Sequence, residues 1–295
     1  MKKLVIVIVV AAAALGAWLM LRPGEPPAAP PPVADPATRT TTGAGDVVGY
    51  VDGNGARVWK GIPFAAPPVG DGRWRAPQPP APWDGVREAL AFGPSCAQPD
   101  SALAGTDQVS DAGIAGQEDC LYLNVWSPRE AAGLPVMLWI HGGGNSIGAA
   151  STYDGSNLAT RHDVVVVSIN YRLGPFGWFA HPDLRRGDQR DDSGNYGTLD
   201  AIRALEWTRD NIAAFGGDPG NVTVFGESAG GASVLYLLTS PKTEGLFQRA
   251  AVQSGGGLQI TRHLSEARGR LPSLVTLGTR WRGADVDAGA LRALP

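Results

Sequence analysis

Val222-Thr223-Val224-Phe225-Gly226-Glu227-Ser228-Ala229-Gly230-Gly231 runs from an apolar stretch into a serine flanked by glycines. Residues 222–225 have the β-branched and aromatic character of a buried strand. The Ala- and Leu-rich residues after Ser228 have the character of a helix. A strand, a sharp turn carrying a serine and a helix make a nucleophile elbow, in which the small residues Gly226 and Gly230 let strand and helix approach closely. A serine hydroxyl is a weak nucleophile near neutral pH. It needs exposure, an adjacent base and donors for the oxyanion that it creates. The elbow supplies exposure, and the start of its helix leaves free N–H groups, that of Ala229 among them. In a glycine-rich chain the pentapeptide alone could arise by chance; its place between a β-run and a helix favours the functional reading.

A second glycine cluster, His141-Gly142-Gly143-Gly144, follows the apolar run Val136-Met137-Leu138-Trp139-Ile140. Ligand sites of parallel sheets lie at the C-terminal ends of strands, and consecutive glycines let backbone amides turn toward a substrate. Gly143 and Gly144 are therefore expected to join Ala229 as three oxyanion donors. A plain glycine turn is the alternative. His141 precedes Ser228 on a different strand end and reads as a structural neighbour of the loop, not as the base.

Around these motifs the pattern alternates. Val164–Ser168 is another near-continuous apolar run and Ala250-Ala251-Val252-Gln253 a fourth, as for buried parallel strands. Leu199, Ile202 and Leu205 recur in threes along Thr198–Phe215, the spacing of an amphipathic helix. Shorter strands are expected at Val47–Val51, Arg57–Ile62 and Leu121–Trp126. The whole reads as an α/β domain with a mostly parallel central sheet and helices on both faces.

Three segments organise the chain. Residues 1–22 read as a signal peptide or signal-anchor helix: Lys2-Lys3 precede an uncharged run from Leu4 to Leu21, long for a signal core and near the lower limit for a membrane span. Either reading exports the remainder. Residues 23–38 read as an extended linker, with seven prolines between Pro23 and Pro36, and residues 39–295 as the folded domain. Composition (43% hydrophobic, net charge −3) excludes a disordered chain. It gives nucleic acid no basic footprint. Cys96 and Cys120, in the exported part, fit a disulfide or two buried thiols; neither has the spacing of a metal site.

Longer motifs then converge. Glu118-Asp119-Cys120-Leu121-Tyr122-Leu123-Asn124-Val125-Trp126, the His141–Gly144 loop and Phe225–Gly231 together resemble the type-B carboxylesterase family, which includes cholinesterases. Lys60–Gly70 and Asn195–Asp200 match the same pattern, and the resemblance runs from about Val47 to Pro295. It implies an α/β-hydrolase fold, a Cys96–Cys120 disulfide, Ser228 as nucleophile, and Gly143, Gly144 and Ala229 as oxyanion donors. It also implies Glu227 as a buried acid near the active-site histidine, a small carboxylic ester as substrate, and no cofactor or metal. Two departures point to a general carboxylesterase. No aromatic stands between Ala97 and Asp119, where cholinesterases hold a cation-binding tryptophan. Asn145 stands after the glycines, where they have an aromatic.

The triad order of this fold is Ser, then Asp or Glu, then His. Only His263 follows Ser228, with Glu244 the sole acid between them. That pair fits the order but not the architecture, since the family's acid and base lie after later strands. Glu244 reads as a surface-loop residue, and His162 and His181 as residues of connections. The expectation is an N-terminal piece of an esterase, lacking its closing strands, its acid and its base, with the strand near Ala250–Gln253 left as an unpaired edge, and by itself nearly inactive. A non-catalytic, esterase-like scaffold is the alternative, though such proteins usually lose the nucleophile.

Overall fold

The computed structural model describes residues 30–105, 109–256, 273–282 and 287–293. The 1–22 segment and His263 lie outside them. Among the described residues no helix is long and apolar enough to cross a membrane.

The central sheet has seven strands: β1 (Tyr50–Val51), β2 (Arg57–Pro63), β3 (Tyr122–Ser127), β4 (Leu134–Ile140), β5 (Val165–Ile169), β6 (Gly217–Glu227) and β7 (Arg249–Gln253). Their spatial order is β7-β6-β4-β5-β3-β2-β1. The strands β4 to β7 pair in parallel, as the apolar runs lead one to expect. The other three pairings are antiparallel, so the mostly parallel character holds for one half of the sheet only. Connections explain the division. Parallel neighbours need a crossover, and helices α1 (Ser156–His162), α2 (Tyr196–Asn211) and α3 (Ala229–Thr239) lie in the three links between β4, β5, β6 and β7. The β1–β2 link needs only a turn, in which the Asp52 carboxylate accepts from Asn54 and Ala56 N–H, both at 2.9 Å.

Helices cover both faces. Alternate residues of β5, namely Val165, Val167 and Ile169, pack with Leu138, Leu123, Leu199 and Ile202 of α2, and Leu237 of α3 in one core. The intervening Val166 packs on the other face with Trp126, Val58 and Ala159 of α1. Each fully buried aliphatic side chain of this kind contributes about 1.5–3 kcal/mol. The expected 198–215 helix is α2 followed by a 3-10 turn, Ile212–Phe215.

One expectation is met and one is corrected. The run Ala250–Gln253 is a parallel strand at an unpaired edge, exposed along its whole length, because its pairing among the described residues is to β6 alone. The Val47–Val51 run divides at Gly49, with Gly45–Val48 in a separate three-stranded sheet. The domain's contacts also begin four residues before Arg39. Asp35 N–H donates to Gly49 O (2.9 Å), its carboxylate caps Pro36–Thr38, and buried Thr38 accepts through its carbonyl from the Trp59 indole (2.9 Å).

Candidate active site

The site grows from one register. β6 and β4 are parallel neighbours with Gly226 opposite Ile140, so the segments leaving the two strands emerge side by side. One begins with Ser228, the other with His141. Ser228 sits at φ 55°, ψ −118°, a strained conformation for any residue with a side chain. It is fixed by Ser228 N–H donating to Gln253 O and by Ala232 N–H donating to Ser228 O, both at 2.9 Å. The serine is exposed, and its hydroxyl has no hydrogen-bond partner among the described residues.

The neighbouring segment makes a tight loop. Gly143, Gly144 and Asn145 adopt φ of 101°, 63° and 56° in succession. The Gly143 carbonyl accepts from Ser146 N–H (3.1 Å) and Ile147 N–H (3.0 Å). The amides of Gly143, Gly144 and Ala229 donate to nothing among the described residues. A Cβ on Gly142 would stand 3.2 Å from Ser228 Cβ, so the glycine loop lies directly against the elbow. Unengaged N–H groups beside an exposed hydroxyl can stabilise negative charge that develops on an oxygen attached there.

Glu227 is half-buried, not buried as the resemblance implies. On β6 the side bearing Val222, Val224 and Gly226 is buried and the side bearing Thr223, Phe225 and Glu227 is half-covered. Its carboxylate lies 2.9 Å from where a Gly142 Cβ would be. Burial, and then the Glu227 charge, push the Tyr153 phenol upward. Tyr153 packs at a tilt against Trp139, which packs likewise against Phe225, with centroids at 5.1 and 4.8 Å.

No described histidine hydrogen-bonds the serine hydroxyl. His141 is buried, and its Nδ1 faces Gly142 O at 2.9 Å, which makes Nδ1 the protonated nitrogen. Burial lowers its pKa to about 4, so it is neutral, as suits a structural neighbour. His181 is buried against Phe179 in a connection, with Nδ1 accepting from Asp183 N–H (3.3 Å). His162 ends α1 at the surface, within the connection from β4 to β5. Glu244 is exposed just after a 3-10 turn, as its surface reading requires.

Cys96 and Cys120 are joined as a disulfide. One supporting residue is not legible in the motifs: buried Tyr171 donates its hydroxyl to His141 O (2.7 Å) and stacks on the His141 ring at 4.5 Å. That contact joins two strand ends thirty residues apart in sequence, and no local pattern announces it.

Comparison with known proteins agrees with this geometry. Residues 35–275 match the model of the carboxylesterase family. The chain is 50% identical over 226 residues to para-nitrobenzyl esterase of Bacillus subtilis (strain 168), covering 75% of this chain and 44% of that protein. It is 45% identical over 260 residues to fumonisin B1 esterase of Sphingopyxis macrogoltabida, covering 86% and 45%. Among solved structures, a PNB esterase superposes with a TM-score of 0.67 at 47% identity, over 76% of this chain and 45% of that one. A Geobacillus stearothermophilus carboxylesterase superposes at 0.64 and 48% identity, over 72% and 42%. The chain thus spans less than half the length of these relatives.

Proposed function

The chain belongs to the carboxylesterase family, and on that footing we propose that Ser228 is the nucleophile of a carboxylic ester hydrolase. Ser228 Oγ attacks the ester carbonyl carbon. The carbonyl oxygen becomes an oxyanion and accepts from the N–H groups of Gly143, Gly144 and Ala229. Collapse expels the alcohol and leaves an acyl group on Ser228, which water then releases as the acid. Each oxyanion donor of this kind contributes on the order of 3 kcal/mol to the transition state. The observation that carries the reading is the set of three unengaged amides around an exposed, strained serine.

Small carboxylic esters are the proposed substrates, in line with relatives named for para-nitrobenzyl and fumonisin B1 esters. Export is part of the proposal, supported by the Leu4–Leu21 run and the disulfide. The proton of Ser228 needs a base, and no described histidine faces its hydroxyl. We propose further that the catalytic acid and histidine are not among the 295 residues, since Glu244 and His263 fit the order of the triad but not its architecture. The 295 residues then carry the nucleophile and oxyanion donors and retain only the acceleration those supply, about 10³–10⁴ over water.

Hydrolysis of p-nitrophenyl acetate by the chain and by Ser228→Ala tests both parts. A slow rate that vanishes in Ser228→Ala is expected. A rate unaffected by the substitution would remove Ser228 from the mechanism. Ser228-dependent turnover near 10 s⁻¹, ordinary for a complete enzyme, would show that the acid and base are within the chain.

A further inference from the structure

The glycine loop leaves β4 under the constraint of the sheet, but its far end has no such support. It returns at Gly148, which is buried at φ 120° and pressed against the loop's own start. A Cβ there would stand 2.5 Å from His141 Nδ1 and 2.7 Å from Gly142 O. What holds Gly148 in that place is a side chain from fifty residues earlier. Gln98, only 3% exposed, accepts from Gly148 N–H through Oε1 (2.6 Å) and donates from Nε2 to Gly148 O (2.9 Å). The same Nε2 donates to Cys96 O at 2.9 Å. The amide orientation follows from these partners: reversed, it would set NH₂ against N–H and oxygen against two carbonyls.

We propose that Gln98 is the positioning residue of the oxyanion loop, gripping both polar groups of Gly148 and so fixing where the Gly143 and Gly144 amides point. This rests on the reading of those amides as oxyanion donors. Gln98 lies within the loop closed by Cys96–Cys120 and is anchored there by Cys96 O and by pairing of Gln98–Pro99 with Ile114–Ala115. The disulfide loop thereby acts as the splint for the glycine loop. Removing the amide leaves Gly148 N–H and C=O buried without partners, and they regain them only if the loop moves. A displaced donor is a weakened one, since catalysis falls steeply with misplacement on the ångström scale.

The test uses the whole chain with Gln98→Met, of similar volume but unable to hydrogen-bond, and Gln98→Glu. Hydrogen exchange of residues 141–148 should speed up about tenfold or more in Gln98→Met, with residues 196–211 of α2 unchanged. Ser228-dependent p-nitrophenyl acetate hydrolysis should fall about tenfold in kcat at constant KM. In Gln98→Glu at pH 8 a carboxylate faces two carbonyl oxygens, and the loop should loosen as in the methionine variant. Toward pH 5 protonation returns one donor, so exchange relative to wild type at the same pH should move back toward unity. That recovery is not expected of a packing role. Unchanged exchange at 141–148 in Gln98→Met, or a Gln98→Glu ratio flat with pH, overturns the proposal. Should the wild type show no Ser228-dependent hydrolysis, the esterase reading fails while the exchange measurements still decide the role of Gln98.

Discussion

Gly230 packs so tightly on Ile140 that a Cβ at position 230 would stand 2.1 Å from the Ile140 carbonyl oxygen. The first turn of the elbow helix therefore touches the backbone at the end of the neighbouring strand. This contact, with Gly226 opposite Ile140 in the sheet, brings the serine and the glycine loop together.

Gly230→Ala should destabilise the fold by about 1–3 kcal/mol, the usual cost of forcing an extra methyl into a packed site. The nearby backbone cannot yield as a flexible side chain would. Gly53→Ala, with nothing within 4 Å of its added Cβ, should stay within about 0.5 kcal/mol. Urea denaturation of the pair measures the difference, and equal effects would refute the close-packed elbow.

Arg172 and Asp200 form a buried pair, 3% and 0% exposed, at 2.7 Å. The Asp200 carboxylate also accepts from Arg172 N–H (3.0 Å) and Nε (2.8 Å), and Arg172 Nη1 donates to Arg75 O (2.9 Å). Asp200→Asn leaves the guanidinium buried without its counter-charge, at an expected cost of about 3–5 kcal/mol. Because Arg172 follows Tyr171, which holds His141 O, the loss should also appear as faster exchange in the glycine loop. Denaturation and exchange of the variant check both.

Much of this site was legible as local pattern. The elbow, the glycine loop, α2 and the strands β4 and β5 each declare themselves within about a dozen residues, through periodicity or glycine placement. What could not be read depends on partners distant in sequence. Gln98 looks like an ordinary polar residue until Gly148 meets it, and Tyr171 until His141 does. The half-burial of Glu227 follows from what packs beside it, which the motif does not specify. The antiparallel half of the sheet was obscured for another reason: β2 and β3 pair across the long connection from residue 64 to residue 121, and neither has the continuous apolar signature of β4 and β5.

His141 gives stability a pH dependence of definite sign. Its folded pKa, about 4, lies below the unfolded 6.5 because burial disfavours the imidazolium. Between these values the unfolded chain binds more protons. The contribution is thus fully present above pH 6.5 and is lost as pH falls toward 4, to a total of about 3 kcal/mol. Denaturation at pH 7 and at pH 4.5 should show a steeper loss for wild type than for His141→Gln. Equal losses would show that His141 is not buried neutral.

The central claim is that Ser228 is the residue that takes an acyl group, with an oxyanion hole beside it and no base within the described residues. Exposing the chain to p-nitrophenyl acetate and locating the acetyl group by peptide mass spectrometry tests it most directly. The account predicts acetylation of the peptide carrying Ser228, accumulating because deacylation lacks a base, and absent at that peptide in Ser228→Ala. An acetyl group spread over surface lysines, with Ser228 unmodified, would contradict it.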